Sequence, residues 1–450
     1  MAEKKPNIRF KGFEEEWEDK PFADAYKSAA EGGTPSTSVK DYYVGGSIPF
    51  VKIEDTEQKY IHDTASHITD KGMNNSSAWL IPSNSIIFTN GATIGNVAIN
   101  KVPVTTKQGI LGVIQDTSKF DLEYLYYALL TDEFQTEVEK RQSKGTFATI
   151  ILRNLDKIDI PHTSLPEQRK IGEFFKQLDE LIGAKEQELE KLRQIKLALL
   201  DKMFPSDSQD NINGGKSLIY KMLQNSSQLV VSSSAPNTPT IRFRGFTEPW
   251  ENCKLRKLFD FSTPHYSHSR DKLTYEETEV LNIHYGDILI LFGDIVDGKE
   301  DKIPYIISAK SDNYKASKLI DGDVIFADTA EDETCGKAIE IQNIANKTIV
   351  AGLHTFVGRP KKKFAPYFLG YYFNSYTFHD QLLPLMQGIK VLSINKSALE
   401  DTFIYYPTNK EEQRKIGDFF RSQDEAIANS QLQINKLKTI KQACLSQMFA

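Results

Sequence analysis

The chain carries the same pair of motifs twice. PNIRFKGFEEEWE at residues 6–18 recurs as PTIRFRGFTEPWE at residues 239–251, and EQRKIGEFFKQLDELI at residues 167–182 recurs as EQRKIGDFFRSQDEAI at residues 412–427. An internal duplication constrains the fold before any local propensity does, because both copies must build the same supersecondary design. Trp17 recurs as Trp250 at an offset of 233 and Arg169 as Arg414 at an offset of 245, so the second copy's interior is longer by 12 residues. Weaker matches survive inside. ATIGNVAI (92–99) aligns with ETCGKAIEI (333–341), each after an apolar run, SIIF or DVIF. FDLEYLYYALL (120–130) aligns with FAPYFLGYYFN (364–374), and Gly145 with Gly388. Constant brackets around diverged interiors describe one scaffold carrying two different heads.

The interiors read as α+β. Short β-branched and aromatic runs (IPFVKI, WLIPSNSIIF and GILGVI, then DILILFGDIV and LIDGDVIFA) alternate with Gly, Asn, Asp and Pro, which predicts short strands in curved sheets. A Tyr-rich helical segment follows late in each. The closing motifs predict long helices. Ser164 with Glu167 three residues on, and Asn409 with Glu412, match capping boxes, with Pro166 in the first turn. Apolar residues then repeat every seven positions: Ile171, Phe175, Leu178, Ile182, Leu189, Leu192, Leu199 and Met203, interrupted by Lys185 and Lys196. The second copy supplies Ile416, Phe420, Ile427, Ile434, Leu437, Cys444 and Met448. This period predicts a coiled coil. The resulting division is a lead-in at 1–19, a first globular domain at 20–163, a helix at 164–204, a Ser/Asn-rich connector at 205–238 with SLIYKML as a short helix, a second lead-in at 239–252, a second globular domain at 253–408 and a final helix at 409–450.

Composition excludes several classes. No apolar run approaches a membrane span, and MAEKKPNIRF lacks the core of a signal peptide, so a cytoplasmic protein is expected. Cys253, Cys335 and Cys444 are far apart and show no metal-ligand spacing. A net charge of −6 argues against a stand-alone nucleic-acid binder; a local basic face or basic partners would have to supply phosphate contacts. No methyltransferase motif is visible. Gly215-Lys216-Ser217 has Asp210 where a phosphate loop needs its first glycine. His265 and His268 lack further ligands for a metal, and Glu331, Asp332 and Glu333 read as a solvated loop. No catalytic or metal-binding residue is therefore assigned.

Nearly the whole chain resembles the specificity subunit of type I restriction-modification systems. The residues that carry the resemblance are GGTPSTSVKDYY and GSIPFVKIED within 32–55, ITDKGMNNSSAWLIPSNSIIFTNGATIGNVAI at 68–99, the two EQRKI helices and the two RF-K/R-GF…W lead-ins. The resemblance implies two diverged target recognition domains on two long antiparallel helices that form a coiled coil with a pseudo-twofold repeat. Each domain would read one half of a split, asymmetric site in double-stranded DNA, with helix length setting the unread spacer. It implies two modification subunits that bind S-adenosylmethionine and methylate adenine, and restriction subunits that use ATP and magnesium. This chain itself would bind no cofactor and catalyse nothing. A bacterial or archaeal cytoplasm follows.

Base reading needs donors and acceptors at groove edges, while phosphates need Lys, Arg and backbone amides. In the first domain the candidates are Thr89, Asn90, Thr93 and Asn96 around the glycines of TNGATIGN, then Lys107 and Gln108, then Lys144 and Thr146 flanking Gly145. In the second they are Lys315, Ser317 and Lys318, then Lys337, His354 and Lys390, with Arg359, Lys361, Lys362 and Lys363 as the densest basic cluster. The alternative is that these loops only turn the chain or face solvent. Tyr42, Tyr43 and Tyr266 either pack or stack near DNA. Trp17 and Trp250 pack the lead-ins, and Leu181 and Leu197 lie off the seam, where a modification subunit could dock. Two competing readings are a self-contained DNA methyltransferase and a protein-only coiled-coil scaffold.

Overall fold

The computed structural model describes residues 6–143, 148–205, 228–232 and 237–449. It divides into two compact units, Met1–Glu186 with Leu432–Ala450, and Gln187–Gln431. Both divisions fall within two long helices, Leu165–Lys202 of 38 residues and Lys410–Met448 of 39. Each unit therefore contains a segment of each helix. At the α-helical rise these helices are about 57 Å long.

In the first unit a five-stranded sheet runs in the order Tyr26–Glu31, Ile110–Gln115, Ile86–Thr89, Val97–Asn100, Tyr60–Ile61, with only the last pair parallel. Two of the three inner strands, Ile86–Thr89 and Val97–Asn100, are buried throughout, which is why they read as continuous apolar runs rather than alternating ones. A three-stranded sheet joins His67–Ile68, Ile48–Val51 and Thr105–Thr106. Glu18–Pro21 pairs antiparallel with Asp159–His162 and so closes the base of the domain. The Tyr-rich segment forms the short helix Leu122–Ala128, capped by the Asp121 carboxylate on two backbone N–H groups.

The second unit repeats this plan. Its five-stranded sheet runs Phe259–Asp260, Thr355–Pro360, Val324–Ala327, Ala338–Gln342, Ile295–Asp297, again with only the last pair parallel. Glu251–Lys254 pairs with Phe403–Tyr406 at the base. The smaller sheet has four strands here, Leu273–Thr274 being the extra one beside Tyr305–Ile306, Val280–Ile283 and Thr348–Ala351. The Tyr-rich segment forms the helix Phe368–Phe373. Buried Glu340 accepts from the backbone N–H of Tyr367 at 2.8 Å and of Gly370 at 2.9 Å at its start. Burial pushes the Glu340 carboxyl up to about 7 against those bonds.

Two local expectations differ from the structure. The run DILILF, read as a strand, is largely the helix Tyr285–Ile290. A short apolar run does not distinguish the two periods, and local capping settles it: the His284 ring accepts from the Gly286 N–H at 3.2 Å, and Lys337 Nζ donates to the Leu289 and Phe292 carbonyls at 3.3 and 2.8 Å. Glu167 and Glu412, read as capping-box members, use their carboxylates on the lead-in motifs instead.

Within each unit the helix segments run antiparallel. In the first, Phe175 lies 6.0 Å from Phe449, Asp179 pairs with Lys441 at 2.5 Å, and Glu186 with Lys438 at 2.7 Å. In the second, Arg193 donates to Gln431 at 3.2 Å, Lys196 to Asp424 at 2.5 Å, and Phe204 stacks on Phe420 at 6.1 Å. Ile171, Phe175, Ile182, Leu189, Leu199, Met203, Ile416, Phe420, Ile434 and Met448 are buried, and Leu178, Leu192, Ile427, Leu437 and Cys444 are half-buried. SLIYKML and Gly215-Lys216-Ser217 lie outside the described residues.

Candidate nucleic-acid interface

The repeated motifs meet at one joint in each unit. Arg9 grips Glu167 with two N–H donors at 2.6 and 2.8 Å, and the Trp17 indole N–H donates to the same carboxylate at 3.2 Å. Arg242 grips Glu412 at 2.5 and 2.9 Å, and the Trp250 indole donates to it at 3.4 Å. The neighbouring glutamines reach into the domains: Gln168 accepts from the Asp121 N–H at 2.8 Å, and Gln413 from the Ala365 N–H at 2.9 Å. Gly172 and Gly417 let the domain backbone approach, since an added Cβ would lie 2.8 Å from the Tyr124 nitrogen or 2.6 Å from the Pro366 oxygen. EQRKIG is thus a joint motif. Glu fixes the lead-in, Gln fixes the domain, Ile is buried, and Gly gives clearance.

The joint holds the five-stranded sheets, whose registers identify equivalent positions. Thr89 pairs with Ile110 in the first domain, and Ala327 with Thr355 in the second. One residue further on, the Asn90 N–H donates to the Gly109 carbonyl at 3.0 Å, and the Asp328 N–H to the His354 carbonyl at 3.1 Å. Asn90 and Gly109 therefore correspond to Asp328 and His354.

The structure sorts the candidate contacts by exposure. In the first domain Thr93, Lys107 and Gln108 are exposed. Thr89 is buried and closes its loop by donating to the Thr93 carbonyl at 2.5 Å and accepting from the Asn96 N–H at 2.9 Å. Asn90 is buried and donates to the Ile150 carbonyl at 3.2 Å, and half-buried Asn96 donates to the Thr56 hydroxyl at 3.2 Å. These three hold loop shape. Lys144 and Thr146 lie outside the described residues.

In the second domain Ser317 is buried, which withdraws it from any base edge. Arg359 makes two bonds to buried Asp323 at 2.9 and 2.7 Å and one to the Lys318 carbonyl at 3.0 Å. Its guanidinium braces the sheet, and Lys318 is half-buried beside it. Lys337 is spent on the helix carbonyls described above, and burial pulls its pKa down. Exposed Lys315 pairs with Asp312 at 2.8 Å. Lys361 donates to the Arg256 carbonyl at 2.8 Å, and Lys362 lies 3.9 Å over the Tyr406 ring. Lys361, Lys362, Lys363, Lys390 and His354 are exposed.

The aromatic candidates divide similarly. Tyr43 donates to the Pro35 carbonyl at 2.5 Å, Tyr42 is half-buried, and the Tyr266 ring lies 4.5 Å from Tyr314. Trp17 and Trp250 are buried in the joints. Leu181 and Leu197 are exposed on the first long helix, as are Leu432 and Ile440 on the second. His268 bonds to the Tyr314 hydroxyl at 3.2 Å. Among the described residues no group of three or more His, Cys, Asp or Glu is placed to hold a metal, and no helix is long and apolar enough to cross a membrane.

Two copies of one α+β domain, each joined to paired helices by the same motif but carrying different residues at equivalent strand ends, define a two-headed protein with diverged heads. The family model for the type I restriction modification DNA specificity domain matches residues 14–194 and again 247–439. The chain belongs to that family. It is 34% identical over 192 residues to the type I restriction enzyme MjaIX specificity subunit of Methanocaldococcus jannaschii, covering 42% of this chain and 44% of that one. It is 28% identical over 157 residues to the EcoR124I/EcoR124II specificity subunit of Escherichia coli, covering 34% and 39%. These matches span less than half the length of either relative. The crystal structure of a type I restriction-modification S subunit from M. genitalium shares the fold at TM-score 0.53 and 14% identity, with 99% of both chains covered.

Proposed function

We propose that this chain is the non-catalytic DNA sequence-specificity subunit of a type I restriction-modification complex. Each recognition domain reads one half of a bipartite, asymmetric site in double-stranded DNA. The helices set the half-site spacing and dock two modification subunits, with exposed Leu181 and Leu197 as part of the docking surface. Methylation of adenine from S-adenosylmethionine, and ATP- and magnesium-dependent cleavage, reside in the modification and restriction subunits. The observation that carries this reading is the divergence at equivalent strand ends, Asn90 and Gly109 against Asp328 and His354, above identical joints. A scaffold for proteins alone has no use for that difference. Exposed Thr93, Lys107 and Gln108 in one domain, and His354, Lys361, Lys362, Lys363 and Lys390 in the other, are the contacts that remain available. Partner subunits supply further phosphate contacts, which a chain of net charge −6 requires.

The deciding experiment is a methylation map of cells carrying this chain with its cognate modification subunit, against cells lacking only this chain. A split adenine motif that disappears with the chain is expected. No motif from a folded, associated pair would sink the proposal, and methylation by the purified chain alone would make it an enzyme. Deleting one heptad from each helix should change the spacer and leave both half-sites intact, because protein spacing fixes half-site spacing. Altered half-site sequences in the same map would refute the ruler.

A further inference from the structure

We propose that His354 is a base-reading side chain of the second recognition domain, presented by Asp328 and Tyr285 to the donor edge of a cytosine. The inference rests on the DNA-reading role proposed above. Its starting point is the backbone. His354 has φ +55°, and its equivalent in the first domain is Gly109 at φ +87°. This strand end requires the left-handed conformation in both copies. Glycine adopts it freely, whereas a side chain there is strained and persists only where its surroundings hold it.

The surroundings hold the ring as well. The Nδ1 nitrogen lies 3.2 Å from the Asp328 carboxylate and 3.4 Å from the Thr329 hydroxyl. A carboxylate only accepts, so Nδ1 carries the proton and donates. The ring packs edge-on against Tyr285 at 5.3 Å, and Tyr285 is backed by His284 at 4.6 Å. The side chain nevertheless remains 47% exposed. Among the described residues Nε2 has no hydrogen-bond partner. A histidine serving the core would bury the ring; this one is strained, oriented and open.

With the proton held on Nδ1 by Asp328, Nε2 carries the ring's free lone pair and accepts. Cytosine offers its N4 amino group as a lone donor in the major groove, whereas adenine adds the N7 acceptor, which Nε2 cannot meet. The strand Thr329–Ala330 also pairs with Leu392–Ser393, so exposed Lys390 lies on the adjoining loop, where it can meet a phosphate.

The test uses the full chain with its modification subunit and duplexes in which each base pair of the mapped target is replaced in turn. Wild type should prefer cytosine at one position of the half-site assigned to residues 253–408, by about ten-fold or more. His354→Gly, which matches Gly109 and relieves the backbone, should abolish that preference and leave the other half-site unchanged. His354→Asn, which tolerates a left-handed backbone, should change the preferred base. If His354→Gly keeps every base preference of the second half-site, the assignment is wrong. If wild type shows no sequence preference anywhere, the DNA-reading role itself fails.

Discussion

Arg242→Ala lowers the unfolding free energy of the second unit by about 3–5 kcal/mol, because it strands a buried carboxylate. Arg242 and Glu412 are only 3% and 1% exposed, and two bonds of 2.5 and 2.9 Å join them away from bulk water. The Trp250 indole at 3.4 Å is too long and too weak a donor to compensate. The equivalent Arg9→Ala in the first unit should cost less, since Arg9 is 14% exposed and water can reach the gap. Urea unfolding of both variants measures the difference. Replacing both partners, Arg242→Met with Glu412→Leu, should recover most of the loss. The remaining deficit should be about 1 kcal/mol from the indole N–H left without an acceptor. Equal losses for Arg9→Ala and Arg242→Ala would show that burial does not govern the joint.

Lys196→Met should be nearly as damaging, and its effect should depend on pH. Lys196 lies between Asp294 at 2.7 Å and Asp424 at 2.5 Å, and the Tyr371 hydroxyl donates to Asp424 at 2.7 Å. Burial pulls the lysine pKa down, but the two carboxylates outweigh it and the net shift is upward. Burial raises the Asp294 carboxyl even with the lysine present. Without the lysine, folding favours protonated Asp294 more strongly. A carboxyl whose folded pKa is raised contributes stability below its unfolded pKa and loses it as pH rises through the folded value. The loss in Lys196→Met should therefore be small near pH 4 and grow to about 3 kcal/mol or more by pH 8. A pH-independent loss would mean that packing, not charge, is what Lys196 supplies. The counterpart in the first unit, Lys441 with Asp179, is 23% and 26% exposed and should respond more weakly.

The architecture was legible because its signals are long-range in sequence and periodic. Two motifs recurring at fixed offsets announced two domains, and a seven-residue period announced the helices. The buried ends of those same motifs were not legible. Glu167 in Ser164-x-x-Glu167 has the local spacing of a cap, but its partners Arg9 and Trp17 lie about 150 residues away and no local rule reaches that far. DILILF failed for a different reason: the capping groups that make it helical are His284, just before the run, and Lys337, about 45 residues on at the entry to the strand Ala338–Gln342. The candidate contacts suffered most. Thr89, Asn90, Ser317 and Arg359 are polar residues in polar loops, and only tertiary burial separates them from exposed Thr93, Gln108 and His354. TTKQGILGV and VAGLHTFVG share almost no letters, so the equivalence of Gly109 and His354 exists only in the strand register.

Each unit is completed by the other copy of the repeat. Trp17 of the first copy lies 6.4 Å from Phe449 of the second, the Ile8 N–H donates to the Gln447 carbonyl at 3.1 Å, and Phe204 of the first copy lies 6.0 Å from Trp250 of the second. A half-length chain would expose both of these aromatic surfaces. Covalent linkage thus keeps each half's aromatic surface supplied with its complement at an effective concentration that separate half-chains lack. Linkage also frees the two halves from having to be identical in sequence, so each can diverge while its joint stays the same.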